Sequence, residues 1–82
     1  MNVVIIEDEP LSAKHLTNLL SKLDKKYTVT AVLDSVATAL PYFQEQKDYD
    51  VIIADINLSD GLSFDVFSKV NITAPVIFTT AF

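Results

Sequence analysis

Asp55 directly follows the apolar run Val51-Ile52-Ile53-Ala54, and Glu7-Asp8 directly follow Val3-Val4-Ile5-Ile6. Short, continuous apolar runs suit strands covered on both faces of a parallel sheet, and open α/β sheets place their ligand sites at the carboxyl ends of such strands. If the two runs are neighbours, three carboxylates meet at one sheet edge. They repel one another there, and a cation relieves the repulsion. Oxygen donors with no cysteine and no clustered histidine favour a hard cation, Mg²⁺ ahead of Zn²⁺. Beside a divalent ion, one carboxylate can act as a nucleophile toward a phosphoryl group, because the metal offsets charge on the transferring oxygens. A further apolar run, Val76-Ile77-Phe78, ends in Thr79-Thr80, whose hydroxyls could reach a phosphate oxygen. An acid after a strand can also be no more than a solvated loop residue; the matching placement of Glu7-Asp8 and Asp55 is what argues for a site.

The elements that must position these residues alternate. After the strand Val3–Ile6, Pro10 and Leu11 open a helix, since proline is tolerated at the first helical position. Leu16, Leu19, Leu20 and Leu23 recur there at spacings of three and four and predict one apolar stripe, with Lys14, His15, Asn18 and Lys22 on the other side. His15 is the only histidine and has no partner spacing that supports a metal ligand or general base. The segment 27–33 partly alternates apolar and polar, the pattern of an edge strand with one wetter face. Ser35 is a candidate N-cap for a second helix reaching about Gln46. Pro41 lies inside that span, so the helix either kinks there or starts nearer Thr38. Asp60-Gly61 predicts a turn within the loop 57–62, and Ser63 a cap for a short helix over 64–70. The order β-α-β-α-β-α-β, with short connections, gives an α/β fold with a mainly parallel sheet.

Composition narrows the function. The chain has 82 residues, fitting one small domain, and half of them are hydrophobic, enough to build a core. A formal net charge of −5 argues against nucleic-acid binding by this segment, which would need a basic face. With no cysteine, neither disulfides nor thiolate metal sites apply. The first residues lack the basic start of a signal peptide, and no apolar stretch approaches the roughly 20 residues of a membrane span. The expected setting is cytoplasmic.

Three segments together resemble the receiver domain of bacterial two-component response regulators: Ile5-Ile6-Glu7-Asp8-Glu9-Pro10, the stretch from Asp50 through Asp55-Ile56-Asn57-Leu58-Ser59-Asp60-Gly61, and the stretch from Ala74-Pro75 through Thr79-Thr80-Ala81-Phe82. The first two look most like receivers that precede a LytTR-type DNA-binding domain. The resemblance implies a flavodoxin-like doubly wound sheet in the strand order 2-1-3-4 over the part present, with three helices. It implies that Asp55 accepts a phosphoryl group from a sensor histidine kinase. Asp8 would bind Mg²⁺ directly and Glu7 largely through water, with the backbone carbonyl of Asn57 as a further ligand. Thr80 would hydrogen-bond the phosphoryl group, with Ala81 leaving room beside it, while Thr79 would face the other way. Kinase specificity would lie mainly near Leu11–Asn18. The role implied is signalling and transcription regulation, not enzymatic turnover. A phosphatase or phosphotransferase reading is disfavoured because Asn57 stands where a second carboxylate would be needed and no general acid is evident.

A complete receiver of this kind has a fifth strand, two further helices, a lysine that pairs with the phosphoryl group and an aromatic switch residue. None of these is expected within residues 1–82. The chain is therefore expected to be a shortened receiver without its effector domain, with impaired phosphorylation. Lys69 falls at the third helix and does not supply the missing cation. The strand Val76–Phe78 would form a bare sheet edge, inviting a homo-oligomer or strand exchange, or a pseudo-receiver role through that edge.

Overall fold

The computed structural model describes residues 1–45 and 48–79. In chain order they form β1 (Asn2–Ile6), α1 (Pro10–Leu23), β2 (Thr28–Leu33), α2 (Val36–Glu45), β3 (Val51–Asp55), β4 (Asn57–Leu58), β5 (Gly61–Leu62), α3 (Ser63–Lys69) and β6 (Val76–Thr79). A four-stranded parallel sheet runs β2-β1-β3-β6, and β4 and β5 form a separate antiparallel hairpin. The 2-1-3-4 order expected for the main strands is what the sheet shows. The hairpin is an addition that turn signals alone did not reveal.

The two central strands fold as their sequences require. Val3, Val4, Ile5 and Ile6 are all fully buried, as are Ile52 and Ala54, because helices cover both faces of the sheet. On one side Val4, Ile6, Ile52 and Ala54 pack with Ala39 and Phe43 of α2, Val66 of α3 and Leu58 of the hairpin. On the other side Val3, Ile5 and Ile53 pack with Leu20 of α1. Phe43 is the aromatic centre of the larger core, its ring edge-on to Tyr49 at 5.3 Å and tilted against Phe67 at 6.3 Å.

The edge strand β2 resolves its mixed pattern with a bulge. Val3 pairs with Val29 but Val4 pairs with Ala31, so Thr30 is an extra residue. An inserted residue reverses the alternation of faces. Val29 consequently joins the α1 side, whereas Ala31 and Leu33 join the α2 side.

Helix α1 departs from the expected stripe. Ala13 and Leu20 are buried and Leu16 packs against the small core that Leu20 forms with Val3, Ile5 and Ile53, but Leu19 is 44 % and Leu23 is 74 % exposed. A single helix covers this face among the described residues. Leu23, in its last turn, overhangs an apolar hollow of about 300 Å³ that it lines with Met1, Leu20, Tyr27, Val51 and Ile77. His15 is on the exposed surface, as expected.

Helix α2 begins at Val36 and runs through Pro41, so the later start near Thr38 does not occur. Its N-terminus is tightly satisfied. Thr38 N–H donates to Ser35 Oγ at 3.1 Å, and Ser35 N–H donates to Thr38 Oγ1 at 3.2 Å, a reciprocal cap. The Val36 and Ala37 N–H groups donate to the Asp60 carboxylate at 2.8 and 3.0 Å. Pro41 is on the exposed side, where the Ala37 carbonyl that loses its partner can turn to water. The expected endpoint Gln46 lies outside the described residues.

Ser63 is not the cap of α3 but its first helical residue, with Leu62 at the cap position. Its backbone N–H and its hydroxyl both reach the Ile56 carbonyl, at 3.0 and 3.4 Å, so the side chain is buried in closing the hairpin. Asp65 takes over part of the cap by accepting from Leu62 N–H at 3.2 Å.

Phe43→Ala should cost about 3–5 kcal/mol, because a fully buried aromatic leaves a cavity at the centre of the larger core. Against a stability of roughly 5–15 kcal/mol for ordinary domains, a small domain at the low end would lose most of its stability. Urea unfolding followed by circular dichroism checks this; Phe43→Leu should retain a cooperative transition at a lower midpoint.

Candidate functional site

Strand register brings the acids together. Ile6 pairs with Ala54 in adjacent parallel strands, so the next residues, Glu7 and Asp55, leave the sheet side by side. Asp8 follows Glu7 in the turn into α1, and one carboxylate oxygen from each of Glu7, Asp8 and Asp55 lies within 4.8 Å of the other two. Glu7 N–H is held by the Leu33 carbonyl at 2.9 Å, extending the β1–β2 pairing one residue past the strand. Asp55 is only 7 % exposed.

Burial pushes the Glu7 carboxyl above its ordinary value of 4.5, and the neighbouring Asp55 and Asp8 carboxyls push the same way. The Glu9 N–H, 3.3 Å from Glu7 Oε2, opposes this by favouring the ionised form. Burial and the neighbouring carboxyls thus both disfavour ionised Glu7. Three converging oxygens with no nitrogen or sulfur donor among them suit a small hard cation, so the residues present fit Mg²⁺.

Asn57 stands two residues beyond Asp55, at the start of the hairpin, where Asn57 pairs with Leu62 and Leu58 with Gly61. Gly61 adopts φ +149°, a conformation that favours glycine, and a Cβ there would sit close to Asp65 Oδ2 at 3.3 Å. Thr79 pairs with Asp55 in the register, but its hydroxyl turns to the Ala54 carbonyl at 3.5 Å. Thr80 and Ala81 lie outside the described residues. Lys69 ends α3, as the sequence indicated.

Sequence reasoning missed the flank of the site. A depression of about 510 Å³ beside Glu7 and Asp8 is lined by Pro10, Ala13, Val32, Leu33, Asp34 and Thr38. Asp34 Oδ1 accepts from Thr38 Oγ1 at 3.2 Å. The spacing of Ser35 and Thr38 was a legible capping signal, but nothing local tied it to the acids. The role of Asp60 was missed for the same reason, since its partners are 23 and 24 residues away. Those two N–H bonds hold the Asp60 carboxyl below the ordinary range of an aspartate. Its contribution to stability is therefore present above the unfolded-state value and is lost as pH falls through the folded-state value.

Residues 3–82 match the model of the response regulator receiver domain. The chain is 38 % identical to the sensory transduction protein LytT of Enterococcus faecalis, a match covering all of this chain and 34 % of that protein. It is 36 % identical to LytR of Staphylococcus saprophyticus, covering 99 % and 32 %. Among solved structures, the response regulator PhyR from Brucella abortus superposes with a TM-score of 0.80 at 35 % identity, over 99 % of this chain and 33 % of that one. The MaeR response regulator bound to beryllium trifluoride gives 0.78 at 25 % identity, over 100 % and 68 %. The chain belongs to the response regulator receiver family. It spans about a third of the length of the curated relatives it matches first.

Glu7→Gln follows from the charge balance of the site. A carboxyl raised in the folded state lends most stability when protonated, and that stability is lost as pH rises through the folded-state value. Without divalent cation, Glu7→Gln should melt above the unaltered chain at neutral pH. The gain should shrink as pH falls toward 4.5, the ordinary value for this group. Melting curves across that range check it.

Proposed function

We propose that this chain is the phospho-accepting module of a cytoplasmic two-component system, with Asp55 taking a phosphoryl group from a sensor histidine kinase. The observation that carries this reading is the convergence of Glu7, Asp8 and Asp55 at the carboxyl ends of two adjacent central strands. Glu7, Asp8, Asp55 and the Asn57 carbonyl would hold Mg²⁺. When bound, the ion offsets the charge of the acids and of the incoming phosphoryl oxygens. An Asp55 carboxylate oxygen forms the new P–O bond as the P–N bond of the donor phosphohistidine breaks, and the imidazole leaves. Asp55 is suited to this by the apolar strand behind it, which fixes the carboxylate at the sheet edge and limits access of water. Thr80 would donate a hydrogen bond to the phosphoryl group. The relatives' names support a sensory role, and transcriptional control would be exerted through a LytTR-type DNA-binding domain in a longer protein.

Incubation with Mg²⁺ and acetyl phosphate tests the reading by intact-mass spectrometry. A phosphoryl adduct should form on the unaltered chain, slowly and in low yield as the sequence implies, and none on Asp55→Ala; Asp8→Asn should lower the yield about 10-fold further, on the order of the cost of disturbing a metal site. An adduct that survives Asp55→Ala would overturn it.

A second role is favoured by the exposed apolar strand β6. Ile77 is 55 % and Phe78 38 % exposed, and the outer side of β6 pairs with no other strand among the described residues. Such an edge can add a strand from another chain, giving a homo-oligomer or strand exchange. Sedimentation should then show a concentration-dependent mass above that of the monomer, reduced by Ile77→Lys. A monomer at all concentrations would remove this role.

A further inference from the structure

The hairpin β4–β5 is only two residue pairs long, too short to hold its shape by its own ladder. Three outside contacts fix it. Leu58 is buried in the larger core, and Ser63 closes its base on the Ile56 carbonyl. At its tip, Asp60 accepts from the Val36 and Ala37 N–H groups at 2.8 and 3.0 Å. The tip bond differs in kind from the other two, because it crosses to the first turn of α2. The short loop before that turn starts at Asp34, which lines the same depression as Glu7 and Asp8. Asp60 thus ties the hairpin that bears Asn57 to the helix turn that follows Asp34.

We propose that Asp60 is a positioning residue for the cation site: by clamping the hairpin tip to the first turn of α2 it fixes the backbone of Asn57 beside Asp55. The proposal rests on the reading of Glu7, Asp8, Asp55 and Asn57 as a Mg²⁺ site. The charge of Asp60 suits its post, since the positive end of the α2 dipole strengthens both hydrogen bonds. Ser35 caps the same helix turn through Thr38 without touching the hairpin, so the two residues separate a helix effect from a hairpin effect.

The test compares Asp60→Ala, Asp60→Asn and Ser35→Ala in the 82-residue chain. Mg²⁺ affinity is measured by calorimetric titration, and amide exchange across residues 56–63 is followed in metal-free protein. Asp60→Ala should weaken Mg²⁺ binding about tenfold and speed exchange in the hairpin, and Asp60→Asn, which keeps an acceptor oxygen, should recover part of both. Ser35→Ala should lower the melting temperature yet leave affinity and hairpin exchange unchanged. Equal weakening by Ser35→Ala and Asp60→Ala, or unchanged affinity and exchange in Asp60→Ala, would overturn the proposal. If the unaltered chain binds no Mg²⁺, the cation-site reading fails separately. Hairpin exchange then decides alone: protection lost only in Asp60→Ala supports the clamp, and protection retained refutes it.

Discussion

Adjacent parallel strands in register emit their next residues side by side, and in this chain those residues are acids. The pairing of Ile6 with Ala54 is therefore the constraint on which the site depends. A shift of one residue would turn the carboxylates to opposite faces and separate them. The register is secured by burial: the strand residues before Glu7 and Asp55 are packed between α1 on one side and α2 with α3 on the other. Apolar packing on both faces thus holds together a group of charges that would otherwise move apart, and the Glu7 carboxyl is raised first by its burial and then by its acidic neighbours.

Much of this was legible in the sequence. The runs 3–6 and 51–54 announce central strands because β-branched residues on consecutive positions only make sense when both faces are covered. The acids after them follow directly, and so does their convergence once the strands are neighbours. What was not legible depends on residues far apart in the chain. The stripe of four leucines in α1 was overread, since helical spacing says which residues share a face but not how far the sheet extends beneath them. Leu23 ends over a hollow instead of a strand. Ser63 has the chemistry of a cap, yet the carbonyl of Ile56 holds it inside the first turn. The bulge at Thr30 and the clamp by Asp60 leave no local signature at all.

The two faces of the sheet are unequal. Beneath α2 and α3, Phe43, Val66 and Leu58 form a continuous core with clustered aromatic rings. Beneath α1 the core is small, and apolar side chains from Met1 to Ile77 line an open hollow. Most of the packing stability therefore lies on the α2–α3 side, the side to which Leu58 and Asp60 also anchor the hairpin. The loops around the acids draw on that better-packed side, leaving the α1 side to contribute the turn that holds Asp8.

The central claim is that three carboxylates forced together by strand register form a cation site. Carboxyl carbon NMR of Glu7, Asp8 and Asp55, titrated with and without Mg²⁺, tests it most directly. Glu7 should titrate above its ordinary value of 4.5 in metal-free protein and move to lower pH when Mg²⁺ is added, with the Asp8 and Asp55 signals shifting alongside. An unshifted Glu7 that ignores Mg²⁺ would contradict it.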